Sequence, residues 1–320
     1  MSSRKRRAFP TLVAAAVLGL VGTGVAAVSG GLPSSAVAAG GEGVGSMPYA
    51  VDDFPRTLQV MSWNMCGPER ASWGCGGTGT PEEKIGVVTG NVTVNRVGAA
   101  LLQEVCEDDL TLLMTRLGAS WNSTFQPYAW SQEGKKTPSR CGEDGTGRPD
   151  RIGTAIVAEG PLDDARSYPT TQPVTGLNTP FHCATATAWK VRLCTVHAAR
   201  LGAEQSQPTW DYRDDQFAQI KAVVDTFPRT VFGGDFNALS PDTPNNTAAW
   251  IWPAGLYSTG PDTPGYQECD QTGTARTGRP THKSGVKIDY IFASEQRNWC
   301  TVITTPYSDH RVLIESLTAA

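Results

Sequence analysis

The chain has 320 residues, eight of them cysteines, and a formal net charge of −4. An acidic balance of this kind excludes a protein that coats nucleic acid through a generally basic surface. It leaves open an enzyme whose basic groove or bound cation is local.

Arg4, Lys5, Arg6 and Arg7 precede an apolar run from Leu12 to about Val28, and the small residues after it end in Ser35-Ala36-Val37-Ala38-Ala39. That is the layout of a secretory signal with an Ala-x-Ala cleavage site, so residues 1–39 read as a leader removed from a secreted protein. The Arg6-Arg7 pair also resembles a twin-arginine export signal. The leader carries four basic and no acidic residues, so its loss moves the formal charge from −4 to −8. No later stretch approaches the roughly 18 continuous apolar residues of a membrane helix. Residues 40–56 are Gly-rich and read as a flexible lead-in. Residues 57–318 show no low-complexity linker and read as one domain, expected to be monomeric.

Within that domain, residues 58–63 predict a buried strand, followed by a Gly-, Cys- and Trp-containing loop to about Thr80. Pro81-Glu82-Glu83 opens a helix, with Pro in the first turn and acids near its positive end. Residues 99–103 predict a strand, and 108–117 an amphipathic helix capped by Asp108. Residues 131–150 are polar and rich in Gly and Pro, and read as a long surface loop. A strand is expected at 153–158, and a hairpin from strands at about 182–189 and 191–197. Residues 207–227 have helical spacing, with Phe217, Ile220, Val223, Val224 and Phe227 on one side. Thr230–Phe232 predicts a strand running into two glycines, and 246–252 a short helix. Strands at 287–293, 300–304 and 312–316 complete the chain. This strand-rich alternation predicts an α+β sandwich rather than a regular βαβ repeat.

All eight cysteines follow the leader, and an even number in an exported chain points to disulfides. No Cys-x-x-Cys pair exists, which argues against a zinc knuckle. Cys183 and Cys194 flank the hairpin at positions that can face each other. Cys66 with Cys75 would close a short loop. Sequence order suggests Cys106–Cys141 and Cys269–Cys300, although counting alone does not fix connectivity.

Chemically capable residues recur at the ends of the apolar runs: Asn64, Glu104, His197, Asp235 with Asn237, Asp289, and Asp309-His310. Carboxylates and an amide oxygen are hard ligands suited to Mg²⁺, Mn²⁺ or Ca²⁺. Histidines can move protons near neutral pH. Together these are the parts for metal-assisted attack of water on a phosphate ester.

Met61-Ser62-Trp63-Asn64, Leu102-Gln103-Glu104-Val105, Gly233-Gly234-Asp235-Phe236-Asn237-Ala238, Lys287-Ile288-Asp289-Tyr290-Ile291-Phe292 and Ser308-Asp309-His310 occur in this order. They resemble the motifs of the endonuclease/exonuclease/phosphatase superfamily, which includes pancreatic-type deoxyribonuclease, apurinic endonucleases, bacterial sphingomyelinases and inositol polyphosphate phosphatases. The resemblance spans about residues 57–317. It implies a four-layer α/β-β/α sandwich of the deoxyribonuclease-I-like type, with the site at one edge of two packed sheets. It implies that Glu104 is the main metal ligand, helped by Asn64 and Asp309. Asp289 would orient His310 for proton transfer, while Asp235 and Asn237 would position the water and the phosphate. Where the family usually shows Thr-His-Leu, this chain has Val196-His197-Ala198. Arg213 and Gln216 keep the family spacing on the next helix, which retains His197 in the site. The acid that pairs with this histidine in the deoxyribonuclease branch has only Asp150 as a candidate.

His182 reads as an ordinary exposed histidine. Arg279, His282 and Lys283 form a basic loop with an electrostatic reason to approach a phosphate. The first substrate reading is a secreted nuclease, with Lys135, Lys136, Arg140, Arg148 and Trp73 able to track a backbone. The second is a phospholipase or sphingomyelinase, for which Trp250 or Trp252 could enter a membrane surface, although packing against the sheet is favoured for them. An inositol-phosphate phosphatase and a catalytically silent binding protein are the remaining readings.

Overall fold

The computed structural model describes residues 57–68, 73–142, 149–200, 211–260 and 263–318. The expected leader and lead-in, residues 1–39 and 40–56, lie outside them. In chain order the elements are β1 (Thr57–Asn64), α1 (Pro81–Val94), β2 (Val97–Cys106), α2 (Glu107–Leu117), β3 (Trp121–Pro127), β4 (Ala129–Gln132), β5 (Lys135–Pro138), β6 (Ile152–Glu159), β7 (Leu162–Tyr168), β8 (Gly176–Asn178), β9 (Phe181–Ala186), β10 (Val191–His197), α3 (Tyr212–Val224), β11 (Thr230–Asp235), β12 (Gln267–Glu268), β13 (Asp289–Ala293), β14 (Arg297–Ile303) and β15 (Val312–Thr318).

Two six-stranded sheets form, ordered β14-β15-β1-β2-β6-β3 and β12-β13-β11-β10-β9-β7. Strands β2 and β10 are buried at every position, because each has neighbours on both faces. One core lies between the sheets, with Leu101, Ile156, Leu193, Val231, Ile291 and Leu313. A second packs α1 and α2 against the first sheet through Ile85, Val88, Leu110 and Leu113. A third packs α3 against the other sheet through Phe217, Ile220 and Val224. The result is the expected α+β sandwich of four layers.

Local sequence accounts for much of this. Thr80 caps α1 through its side chain, and Glu83 reaches back to the cap, a reciprocal pairing that satisfies two free N–H groups. Asp211 caps α3 by accepting from Arg213 N. The four disulfides are Cys66–Cys75, Cys106–Cys141, Cys183–Cys194 and Cys269–Cys300. Cys183 and Cys194 sit directly opposite in the β9–β10 ladder.

Several expectations change. The segment 131–150 is not all loop: β4 and β5 make a hairpin, and β8 joins β4 in a small third sheet. Its alternation is too short and too polar to read as strand. Strands β3 and β7 are additions of the same kind, since both are partly exposed and polar edge strands with no apolar run to mark them. The helix expected at 246–252 reduces to one 3₁₀ turn at Ala249–Ile251. Trp252 is buried among Phe217, Phe236, Tyr257 and Tyr290, whereas Trp250 is 51% exposed. His182 is buried in β9 rather than exposed, bonded to Ser167 and Thr124.

Candidate active site

Strand register assembles the first part of the site. In the second sheet, His197, Asp235 and Asp289 are direct partners across β10, β11 and β13. Side chains on one row of a sheet point to one face. The two glycines before Asp235 have a steric reason: a Cβ on Gly234 would meet Val196 O at 1.8 Å, and Gly234 holds φ +147°. Glycine alone fits that backbone. In the first sheet, Asn64 pairs with Gln103. The β2–β6 register shifts between Leu102 and Val105, and Glu104 sits at φ +51°. Asn237 and Cys66 also have positive φ. Non-glycine residues held in this region cluster at functional sites.

The side chains converge. Asn64 Nδ2 donates to Glu104 Oε1 at 3.1 Å and to Asp235 Oδ2 at 3.3 Å, linking the two sheets. His197 Nε2 lies 3.8 Å from Glu104 Oε1 and 3.7 Å from Asp235 Oδ2. His310 Nε2 lies 3.7 Å from the same Asp235 oxygen, and its Nδ1 is 3.0 Å from Asp289. His310 is held in place from its own backbone: Ser308 Oγ receives its N–H and donates to Asn64 O, while Trp63 Nε1 donates to His310 O. Arg213, clamped by Asp211, donates to Asn237 O, and Gln216 receives Ala199 N. The retained Arg-x-x-Gln pair thus braces the backbone behind His197 and Asn237.

Glu104, His197, Asp235, Asn237, His282, Asp309 and His310 all line one cleft of about 940 Å³. Trp73, Trp130, Pro173, Val174, Leu177 and Tyr212 form its apolar wall, and Arg200 contributes a cation. Trp130 and Val174 are 44% and 74% exposed, and Trp130 is the register partner of Leu177 in the small third sheet.

Burial and neighbouring charges together set the protonation states. Burial pushes the Glu104 carboxyl up to about 7, and the Asn64 hydrogen bond only partly opposes this. Burial also raises Asp235, and lowers His197 to about 4. For His310 burial acts downward, but the charges of Asp289 and Asp235 outweigh it and lift the imidazolium to about 10. Asp309 is raised by burial yet falls to about 2, held ionised by His282 and His310. One neutral and one charged imidazole therefore flank Asp235.

The chemistry of these donors fits a divalent cation. Glu104 is a buried carboxylate with no lysine or arginine within ion-pair distance among the described residues. A cation beside Glu104 and Asp309 would offset the burial penalty of the first. Asn64 Oδ1 receives Cys66 N at 3.0 Å and its Nδ2 donates to Glu104, so the amide aligns that carboxylate.

Other expectations divide. His282 belongs to the site: its Nε2 is 3.3 Å from Asp309 Oδ2, and its ring meets His310 edge-on. Lys283 Nζ lies 3.4 Å from Asp309 Oδ2 at the rim. Arg279 does not reach the cleft, because its guanidinium is paired with Asp270 and donates to Cys300 O. Asp150 does not pair with His197; its carboxylate receives Asp108 N. The partner of His197 Nδ1 is Tyr128 Oη at 2.9 Å. Nothing local in the sequence marks Tyr128, which is one aromatic residue ahead of a polar stretch. Lys135 and Lys136 are exposed on β5 and do not line the cleft, and Arg148 lies outside the described residues.

Two packed sheets that deliver a carboxylate- and imidazole-rich cleft at one edge define a phosphoric ester hydrolase. Residues 61–310 match the model of the Endonuclease/Exonuclease/phosphatase family, and the chain belongs to that family. No curated protein matches it. Among solved structures, it is similar to the human Nocturnin catalytic domain with bound sulfate (16% identity, TM-score 0.54, covering 82% of this chain and 94% of that one). It is also similar to an endonuclease/exonuclease/phosphatase from Beutenbergia cavernae (16%, 0.54, 83% and 72%). A D. rerio TDP2 complexed with single-strand DNA product gives 17% identity, TM-score 0.50, and coverage of 81% and 98%. At these identities the likeness concerns the fold.

Proposed function

We propose that the protein is a divalent-metal-dependent phosphodiesterase acting on nucleic acid. The observation that carries the phosphodiesterase reading is the placement of His197 Nε2 and His310 Nε2, each 3.7 Å from one oxygen of Asp235, with Glu104 alongside. Glu104 and Asp309 would hold the cation, Mg²⁺ first and Mn²⁺ or Ca²⁺ next, which supplies positive charge to the phosphate oxygens. Asp235 accepts the proton of the attacking water as the water–phosphorus bond forms. His310, oriented by Asp289, delivers a proton from Nε2 to the leaving oxygen as the phosphorus–ester bond breaks. His197 donates to a non-bridging oxygen. Asn237 lines the same end of the cleft, its amide braced on Ala198 O.

Nucleic acid is the first substrate reading because Trp73 and Trp130 offer faces on which bases can stack, with Arg200 and Lys283 nearby. A phospholipid is the second, favoured by the exposed Val174 beside Pro173 and Leu177 in the same wall. The layout of residues 1–39 supports export, and N-terminal sequencing of protein from culture medium tests it.

The deciding experiment is a substrate panel of duplex DNA, single-stranded DNA, RNA, sphingomyelin vesicles, inositol phosphates and bis(p-nitrophenyl) phosphate. It compares wild type with Glu104→Ala, with and without chelator. Metal-dependent cleavage of a nucleic acid that Glu104→Ala loses supports the reading. Cleavage of sphingomyelin alone moves it to lipid, and no hydrolysis of any substrate overturns it.

A further inference from the structure

Tyr128 is buried at 1% exposure, and its hydroxyl lies between two groups of the site. Glu104 N donates to Tyr128 Oη at 3.2 Å. Tyr128 Oη stands 2.9 Å from His197 Nδ1. The backbone N–H can only donate, so it occupies a lone pair of the hydroxyl. The phenolic proton then has one partner among the described residues, the bare Nδ1 of His197. The opposite assignment, with Nδ1 carrying a proton toward Tyr128, would leave the phenolic O–H buried without an acceptor, at a cost of about 1–3 kcal/mol.

The other ring nitrogen agrees. His197 Nε2 faces Glu104 Oε1 at 3.8 Å and Asp235 Oδ2 at 3.7 Å. An N–H at that position is attracted to both oxygens, whereas a lone pair would be repelled by them. Tyr128 also engages the backbone of Glu104 where it holds φ +51°.

We infer that Tyr128 is a positioning residue that holds His197 in the Nε2–H tautomer, aims that proton into the cleft, and ties this orientation to the backbone of Glu104. His197 is thereby a hydrogen-bond donor to the phosphoryl group and not a base. The role in turnover rests on the phosphodiesterase reading above; the tautomer does not.

The test has two arms. The chain contains four histidines, so ¹⁵N-histidine labelling gives four ring spin systems, with His197 assigned by its loss in His197→Gln. At neutral pH the wild type should show His197 protonated at Nε2 and bare at Nδ1, and Tyr128→Phe should show the two tautomers exchanging. In the second arm, Tyr128→Phe should lower kcat on bis(p-nitrophenyl) phosphate with Mg²⁺ by about 10- to 100-fold, the usual loss when a group that orients a site residue is removed. KM should stay within about twofold, because ground-state binding is retained. A wild-type His197 protonated at Nδ1, or a Tyr128→Phe variant with full kcat, overturns the inference. The wild-type spectrum decides the tautomer even if Tyr128→Phe fails to fold. A wild type that hydrolyses nothing would sink the activity reading and leave the tautomer to stand or fall on the spectrum.

Discussion

Asp289 and His310 form the tightest charge pair of the site, with both carboxylate oxygens 3.0 Å from Nδ1. The pair keeps the imidazolium oriented with Nε2 toward Asp235. Asp289→Asn preserves size but removes the charge that lifts His310 to about 10. The expected outcome is a fall in kcat of about 10²–10⁴, the range set by general acid–base groups, with KM little changed. Steady-state kinetics on a chromogenic diester checks this, and an unchanged kcat would remove His310 from proton transfer. A substitution outside the cleft provides the contrast. Arg279→Ala should leave kcat near wild type, because its guanidinium is engaged by Asp270 and does not line the cleft.

The strands set the site's precision. Gly234 is the tightest point, and Gly234→Ala would drive Cβ into Val196 O on the neighbouring strand. The expected loss is on the order of 3 kcal/mol, because neither backbone can shift without breaking the β10–β11 ladder. Equilibrium denaturation measures it, and a loss under about 1 kcal/mol would mean that the ladder yields more easily than a packed sheet should. Strand β9 carries a pH effect. His182 is pulled down to about 4, first by burial, with the charge of Arg192 adding to it. Its folded value lies below the unfolded 6.5, so the unfolded chain takes up the proton first. The His182 contribution to stability is therefore intact above about 6.5 and is lost as pH falls from there toward 4. The full shift corresponds to about 3 kcal/mol. His182→Gln should make the denaturation midpoint fall less steeply over that window, with His197, lowered to the same range, keeping part of the slope. Equal slopes for the two proteins would show that His182 titrates freely.

At the scale of the molecule, cation binding and folding are linked. The site takes residues from β1, β2, β10, β11 and β13 and from the segment before β15, so it exists only when both sheets are packed. A cation that binds the folded form alone stabilises it by about 2.7 kcal/mol at a hundredfold excess over Kd. Mg²⁺ should thus raise Tm in wild type and not in Glu104→Ala, and chelator should reverse the rise. A Tm indifferent to divalent cations in wild type would contradict a metal held by Glu104. Scanning calorimetry reads this without needing the substrate.

Much of the site is legible in the amino-acid sequence alone. Asn64, Glu104, Asp235, Asn237, Asp289, Asp309 and His310 stand in short local patterns at the ends of apolar runs, and a run buried on both faces has few alternatives to a central strand. Helix α1 and the Cys183–Cys194 pair are legible for the same reason: a proline with acids in the first turn and a hairpin are local signals. What the sequence does not decide depends on partners far apart in the chain. The tyrosine behind His197 is 69 residues away, and Asp150, the nearest chemical candidate, faces elsewhere. The burial of His182, the hairpin within 131–150 and the apolar wall from Trp130 and Val174 follow from which strands become neighbours. The protonation of the two imidazoles is decided last of all. His197 and His310 are the same side chain, and only their depth and the carboxylates packed around them make one neutral and the other charged.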